Sequence, residues 1–153
     1  MKTKIKLAYD EIDNVKKLFE EYTQMLGVNL DFQNYEQELD QLPGKYALPN
    51  GRLYIACADD KPAGCIALRR VNNVVCEGKR LYVRPEFRGY KIGQVLMEQI
   101  IEDAVELKYK YVVLDTLAKL ESAVALYKKL GFYEIDPYYQ NPLGNVVYMK
   151  LDL

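Results

Sequence analysis

The amino-acid sequence predicts an α/β domain built on a mixed, mostly antiparallel β-sheet with helices on both faces. Three apolar segments, 53–58, 63–71 and 74–83, are separated by turns of only two to four residues. Connections this short join antiparallel neighbours. Residues 79–115 instead follow the order strand, helix, strand, which within one sheet forms a right-handed parallel crossover.

Length and charge bound the class of protein. The chain has 153 residues, of which 50% are hydrophobic and 28% are charged. This length corresponds to one domain over residues 1–153, with enough apolar material for one substantial core. The formal net charge is −1, so the overall charge does not favour nucleic acid or an anionic membrane as a partner.

Cysteine and histidine content bears on compartment and metal binding. Cys57, Cys65 and Cys76 lie in apolar runs without paired spacing, which favours buried thiols in a reducing compartment over a disulfide scaffold. The chain has no histidine, a common zinc ligand, so we predict no metal site. Residues 1–7 lack the apolar segment of a signal peptide, and no run approaches the ~18 apolar residues of a membrane span. We therefore expect a cytoplasmic protein.

The N-terminal part predicts a strand over 4–9 followed by two helices. Asp10 is expected to cap the first helix through the free N–H groups of its first turn. The apolar face of that helix comprises Ile12, Val15, Phe19, Tyr22 and Leu26. The motif Asn34-x-x-Gln37 resembles a capping box for a second helix that runs through Leu42. Residues 43–51 are rich in Pro and Gly and are expected to form a loop.

The C-terminal half predicts two further helices and three strands. Lys128 and Lys129 suit the negative end of the last helix, and Gly131 suits its stop. The predicted segments are helix 90–107, strand 110–115, helix 119–130, strand 132–138 and strand 145–151.

The stretch from Leu81 to Gly93 joins a strand to a helix and carries the clearest functional signal. The first N–H groups of a helix have no internal partner, and the helix dipole is positive there. A glycine-containing turn into a helix is therefore a ready site for anions. Arg88 adds a guanidinium suited to bidentate phosphate contact. These residues predict a phosphate-bearing ligand.

The run from Arg88 to Gly93, Arg-Gly-Tyr-Lys-Ile-Gly, resembles the acyl-CoA loop of the GNAT superfamily of N-acetyltransferases, Gln/Arg-x-x-Gly-x-Gly/Ala. The preceding strand and the Leu126–Phe132 run strengthen the resemblance. It implies a parallel strand pair that splays apart to admit the pantetheine arm of acetyl-CoA. The donor-binding residues it implies are Leu81, Val83, Arg88, Gly89, Tyr90, Lys91, Ile92, Gly93 and Ser122.

Two positions depart from the family pattern. Lys91 stands where the family usually has glycine, and we expect it in right-handed geometry as part of the helix. Leu120 stands where many members have an asparagine that contacts the cofactor. Either Ser122 or backbone groups take over that contact, or the affinity for the cofactor is lower.

The resemblance also implies two catalytic side chains. Tyr127 matches the tyrosine that points at the coenzyme A sulfur and acts as general acid, although its helical spacing also fits a core tyrosine. Glu77 matches a general base that some members carry on the strand before the loop. Strict alternation places Glu77 on one face with Leu81 and Val83. The alternative is a glutamate that is exposed or paired with a neighbouring Lys or Arg, since Lys79 and Arg80 lie close by.

The resulting prediction is an N-acetyltransferase that moves an acetyl group from acetyl-CoA to a primary amine of an unidentified small molecule, peptide or protein. The alternative is a module that senses acyl-CoA without turnover, which the phosphate loop alone does not exclude. The acceptor is expected to be a smallish or partly apolar amine, and a homodimer is left open. The residues expected to line the acceptor site are Tyr22, Met25, Leu26, Phe32, Tyr35, Tyr138, Tyr139 and Asn141.

Overall fold

A computed structural model describes all 153 residues and confirms the mixed sheet. Seven strands form one sheet in the order β1-β2-β3-β4-β5-β7-β6. Every neighbouring pair is antiparallel except β4 and β5. The elements are β1 Thr3–Leu7, α1 Ile12–Leu26, α2 Tyr35–Asp40, β2 Arg52–Ala58, β3 Lys61–Arg70, β4 Val75–Val83, α3 Ile92–Glu106, β5 Tyr111–Leu117, α4 Glu121–Lys129, β6 Tyr133–Ile135 and β7 Val146–Asp152.

Helices cover both faces of the sheet, and each face has its own core. Helices α3 and α4 pack on one face, where Leu96, Ile100 and Tyr127 belong to the buried cluster. Helices α1 and α2 cover the other face, where Phe19 and Tyr35 are buried against the sheet. None of the helices combines the length and apolar character needed to cross a bilayer.

Strand β4 contains a β-bulge. Cys65 pairs with Tyr82 and Ala67 pairs with Lys79, so two steps along β3 match three steps along β4. Arg80 adopts a φ of 61° within the extra step. A bulge of this kind places two consecutive side chains on one side of the strand.

The bulge changes which side chains share a face. Lys79 and Arg80 both bond to residues on the α1–α2 side. Glu77 precedes the bulge and lies on the same side, whereas Leu81 and Val83 pack against the core under α3. The prediction that these three residues share one face is therefore wrong, because the extra residue reverses the alternation.

The caps of the first two helices also differ from the prediction. Helix α1 begins after Glu11, not after Asp10, and no side chain caps it, since the Glu11 carboxylate is held by Lys6 and Asn14. Asn34 precedes α2 with a φ of 56° and makes no side-chain cap. That left-handed backbone directs the side chain away from the free N–H groups of the helix.

Strand β6 is shorter than predicted, whereas β7 has the predicted length, and a loop takes the place of the missing part of β6. Strand β6 ends at Ile135, so residues 136–145 leave the sheet edge and carry Tyr138, Tyr139 and Asn141 back over it. The rings of Tyr138 and Tyr139 pack on Tyr148 of β7 with centroids 5.4 and 5.7 Å away. The loop thereby covers part of the α1–α2 side of the sheet.

Candidate active site

A cavity of about 730 Å³ opens where β4 and β5 diverge. The parallel ladder between these strands ends at the pair Glu77 and Val113. Beyond it, residues 78–83 of β4 and 114–117 of β5 line the two sides of the gap. Unpaired strand backbone facing a cavity must find hydrogen-bond partners in water or ligand. This is the splayed parallel pair that the sequence predicted.

Most of the predicted donor-binding residues meet in this cavity. Tyr90 is the exception, because its side chain is 57% exposed and points into solvent. The predicted residues that line the cavity are Leu81, Val83, Arg88, Gly89, Lys91, Ile92, Gly93 and Ser122.

The loop before α3 adopts left-handed backbone at two positions. Gly89 has a φ of 87° and Lys91 has a φ of 62° and a ψ of 20°. Lys91 is thus the residue before the helix, and its carbonyl accepts a hydrogen bond from Val95 at 3.1 Å. The prediction that Lys91 is right-handed is wrong. The turn requires glycine-like geometry, and a non-glycine residue adopts it at a cost of about 1–2 kcal/mol.

The first N–H groups of α3 are therefore presented to the cavity. Gly93 lies in the first turn, where an added Cβ would sit 3.8 Å from Val83 and Leu126 side chains. The missing side chain leaves room for a ligand to approach the helix N-terminus. Arg88 lies at the rim, where its guanidinium donates to the Val83 carbonyl at 3.1 Å.

Tyr127 of α4 reaches the same cavity from the face of the sheet that α3 also covers. Its side chain is only 7% exposed, yet it lines the cavity. Burial, with smaller effects of Tyr22 and Asp115, raises the pKa of the Tyr127 phenol far above its ordinary value. The hydroxyl therefore keeps its proton at neutral pH, as a proton donor must.

Glu77 lies next to the cavity without lining it. One carboxylate oxygen accepts from Arg69 at 2.6 Å and the other from the Tyr138 hydroxyl at 2.5 Å. Burial raises the pKa of Glu77, but Lys79 and Arg69 outweigh burial, and the pKa lies below its ordinary value. This geometry fits the paired, structural alternative better than direct contact with a bound amine.

Three polar residues that the sequence did not single out as site residues, Gln33, Lys79 and Asp115, also line the cavity. Lys79 of β4 donates to Gln33 at 3.2 Å, and Gln33 donates to the Tyr139 hydroxyl at 3.3 Å. Asp115 of β5 accepts hydrogen bonds from Tyr139 and, at 3.1 Å, from Asn141. The only sequence signal was a charged residue inside each strand, which does not reveal that the two strands bring them together.

The residues expected to line the acceptor site divide into two groups. Tyr22, Met25, Leu26 and Asn141 line the cavity. The other four, Phe32, Tyr35, Tyr138 and Tyr139, do not line it. Two charged residues outside the expected set, Lys79 and Asp115, also line the cavity.

Helix α4 begins at the opposite wall. Leu120 and Ser122 both line the cavity, together with Lys119, whose ammonium donates to the Leu26 carbonyl at 2.9 Å. Ser122 is exposed, so its hydroxyl is available to a ligand. No group of three or more Cys, Asp or Glu residues is arranged to hold a metal ion.

Comparison with known proteins decides the family. Residues 13–132 match the model of the Acetyltransferase (GNAT) family. The chain belongs to the GNAT family. An uncharacterized N-acetyltransferase of Schizosaccharomyces pombe is 45% identical to this GNAT chain, covering 97% of it and 92% of the relative. An uncharacterized N-acetyltransferase of Dictyostelium discoideum is 38% identical, covering 100% of both chains.

The fold of this GNAT chain is also similar to solved acetyltransferases. The PaiA N-acetyltransferase from Thermoplasma acidophilum, solved in complex with coenzyme A, superposes with a TM-score of 0.77. That alignment covers 100% of both chains at 19% identity. The family and the fold confirm the identification made from the Arg88–Gly93 loop, and with it the prediction of an N-acetyltransferase.

Proposed function

We propose that this GNAT enzyme transfers the acetyl group of acetyl-CoA to a primary amine within the cavity between β4 and β5. The observation that carries the proposal is that one cavity joins a free helix N-terminus to the buried hydroxyl of Tyr127. The coenzyme A complex of the PaiA relative supports the identity of the donor. The proposal includes a cytoplasmic location. It also includes a homodimer as the alternative to a monomer.

The residues around the loop fit the donor. The first N–H groups of α3 and the ammonium of Lys91 would hold the pyrophosphate, since a helix N-terminus favours anions. The bare Cα of Gly93 leaves space for close approach. The pantetheine arm would pair with the free backbone edges of residues 78–83 and 114–117. Ser122 would contact it from the α4 side.

The transfer step assigns a role to each side of the cavity. The amine nitrogen forms a bond to the acetyl carbonyl carbon, and the bond from that carbon to sulfur breaks. Tyr127 gives its proton to the departing thiolate, since burial keeps the phenol protonated. The backbone N–H of Val83 would polarise the carbonyl oxygen.

The amine also loses a proton, on the side of the cavity opposite Tyr127. The sequence predicted Glu77 as the base, but both of its carboxylate oxygens are held by Arg69 and Tyr138 behind the cavity. Asp115 lines the cavity, and one of its two carboxylate oxygens bonds to Tyr139 and Asn141. The other oxygen faces no protein donor. We therefore propose that Asp115 is the first group to contact the amine proton. Glu77 is a positioning residue that holds Tyr138.

Two measurements test the proposal. Coenzyme A should raise the melting temperature, because a ligand that binds only the folded state stabilises that state. Gly89→Asp and Arg88→Glu should each remove most of this shift, whereas the exposed Lys17→Met should keep it. Thiol release from acetyl-CoA with a panel of amines should be amine-dependent. A shift without amine-dependent release would instead support the acyl-CoA-sensing alternative.

A further inference from the structure

Two opposite charges face the acceptor side of the cavity from neighbouring strands. Lys79 lies on β4 and Asp115 lies on β5, and both line the cavity beyond the point where these strands separate. Both side chains project to the α1–α2 side of the sheet, where they meet Gln33 and the 136–145 loop.

A continuous chain of hydrogen bonds joins these two charges. The Lys79 ammonium donates to the Gln33 carbonyl oxygen at 3.2 Å. The Gln33 amide nitrogen donates to the Tyr139 hydroxyl at 3.3 Å, and that hydroxyl donates to one Asp115 oxygen. Asn141 donates to the same Asp115 oxygen at 3.1 Å and to Tyr139 at 3.0 Å. The network fixes the separation and the direction of the two charged groups.

The other charges nearby are neutralised inside the protein. Arg80 is held by Glu38 in a bidentate pair, and Glu77 is held by Arg69 at 2.6 Å. The carboxylate oxygen nearest to Lys79 belongs to Glu77 and lies 4.0 Å away. On this side of the cavity the Lys79 ammonium and the Asp115 carboxylate each have hydrogen-bonding capacity to spare. Apart from Arg80, the other charged lining residues, Arg88, Lys91, Lys119 and Glu121, belong to the loop before α3 and to the start of α4.

Of these two charged residues, Lys79 gives the stronger evidence for a bound ligand. Its side chain is only 8% exposed, and just one of the three hydrogens of its ammonium has a close protein acceptor. A buried charge with unfilled hydrogen-bonding capacity is destabilising unless a ligand supplies the missing partner. A carboxylate is the anion that a lysine at this position would accept while a neighbouring aspartate binds an amine.

The remaining walls of this part of the cavity are apolar. Tyr22, Met25 and Leu26 of α1 line it on the side facing the two charges. An apolar substituent of the acceptor can pack there and leave water.

We propose that the acceptor is a free amino acid with an apolar side chain, its carboxylate bound by Lys79 and its amine by Asp115. This rests on the proposed acetyl transfer and adds the substrate class. In the reaction the amine nitrogen gains the acetyl carbon and loses a proton to the Asp115 side, and the carboxylate is unchanged. A polyamine or a peptide N-terminus lacks the carboxylate that Lys79 would bind.

The test compares acceptors that differ only in the carboxylate. Leucine, leucinamide and 3-methylbutylamine are each supplied with acetyl-CoA, and kcat/KM is measured from thiol release; methionine and phenylalanine with their amides repeat the comparison. We expect each acid to exceed its amide by about 10- to 100-fold, the range of a hydrogen bond to a charged group. Lys79→Met should bring that ratio close to one, whereas the exposed Lys17→Met should keep it.

Binding separates this inference from the proposed function. Leucine and leucinamide are titrated calorimetrically into protein saturated with coenzyme A. If leucine binds more tightly than leucinamide and Lys79→Met abolishes this preference, the inference is supported, even if no amine is acetylated. In that last case the proposed acetyl transfer fails while the inference about the binding site stands. Equal or faster turnover of the amides or of 3-methylbutylamine overturns the inference while leaving acetyl transfer intact. Absence of both preferential binding and preferential turnover of the acids also overturns it.

Discussion

Replacing Lys79 by methionine should make the ligand-free protein more stable. Burial, reinforced by Arg80 and Lys45 and opposed by Glu77 and Asp115, lowers the pKa of Lys79 from 10.5 to about 8. Each pH unit between these values corresponds to about 1.36 kcal/mol, so the charge on Lys79 destabilises the folded state by about 3 kcal/mol at pH 7. Methionine keeps the length of the side chain and removes the charge.

The pH dependence of the stability difference identifies the charge on Lys79 as its cause. Between pH 8 and 10.5 the unfolded state holds a proton on Lys79 that the folded state has lost. Raising the pH through this window therefore stabilises the wild type relative to the variant. The advantage of Lys79→Met should fall from about 3 kcal/mol at pH 7 to about 1 kcal/mol at pH 10.

Urea unfolding of the wild type and of Lys79→Met at pH 7 and pH 10 measures this difference. The contributions of other titrating groups cancel in the comparison. Lys17→Met is the matched control, because Lys17 is exposed and its removal should change stability little at either pH. A variant no more stable than the wild type at pH 7 would refute the reasoning. A gain of equal size at both pH values would point to packing, not charge. A stabilising variant that loses acceptor preference would indicate that the buried charge is kept for binding.

The remaining predictions concern the catalytic residues and the loop. Tyr127→Phe should lower kcat by about 10²-fold and leave the Kd of coenzyme A unchanged; loss of cooperative unfolding would instead support a core tyrosine. Glu77→Gln should lower activity only a few-fold, with a pH profile parallel to that of the wild type. Asp115→Asn should lose most activity near neutral pH. If the activity of Glu77→Gln instead recovers at high pH, Glu77 is the base. Lys91→Gly should raise the free energy of unfolding by about 1 kcal/mol, because it relieves the left-handed backbone. It should also weaken coenzyme A binding and flatten its dependence on salt; affinity equal to wild type at low salt would show that the ammonium takes no part.

Much of the donor half of the site is local in sequence, and it could be predicted for that reason. The strand, the turn and the helix N-terminus that we propose to bind phosphate are contiguous from Leu81 to Gly93. Their chemistry comes from backbone N–H groups and small residues, which a short motif specifies. The conformation of Lys91 was the exception, because its backbone follows the geometry of the turn and not its own preference.

The acceptor half could not be predicted in the same way. Lys79 and Asp115 come from different strands, and Gln33 and Tyr139 come from two separate loops. Each looks ordinary in its own segment. Only the pairing of β4 with β5 and the return of the 136–145 loop place them in one network.

The sequence by itself determined the order of the elements, the mixed sheet, and the loop that marks the GNAT family. Periodicity and turn length are local properties, so they can be read without coordinates. Tertiary structure decided the face on which each β4 side chain lies. One extra residue at Arg80 reverses the alternation, moving Glu77 away from Leu81 and putting Lys79 beside the cavity. A bulge arises from pairing with the neighbouring strand, and strand pairing is a property of the folded sheet.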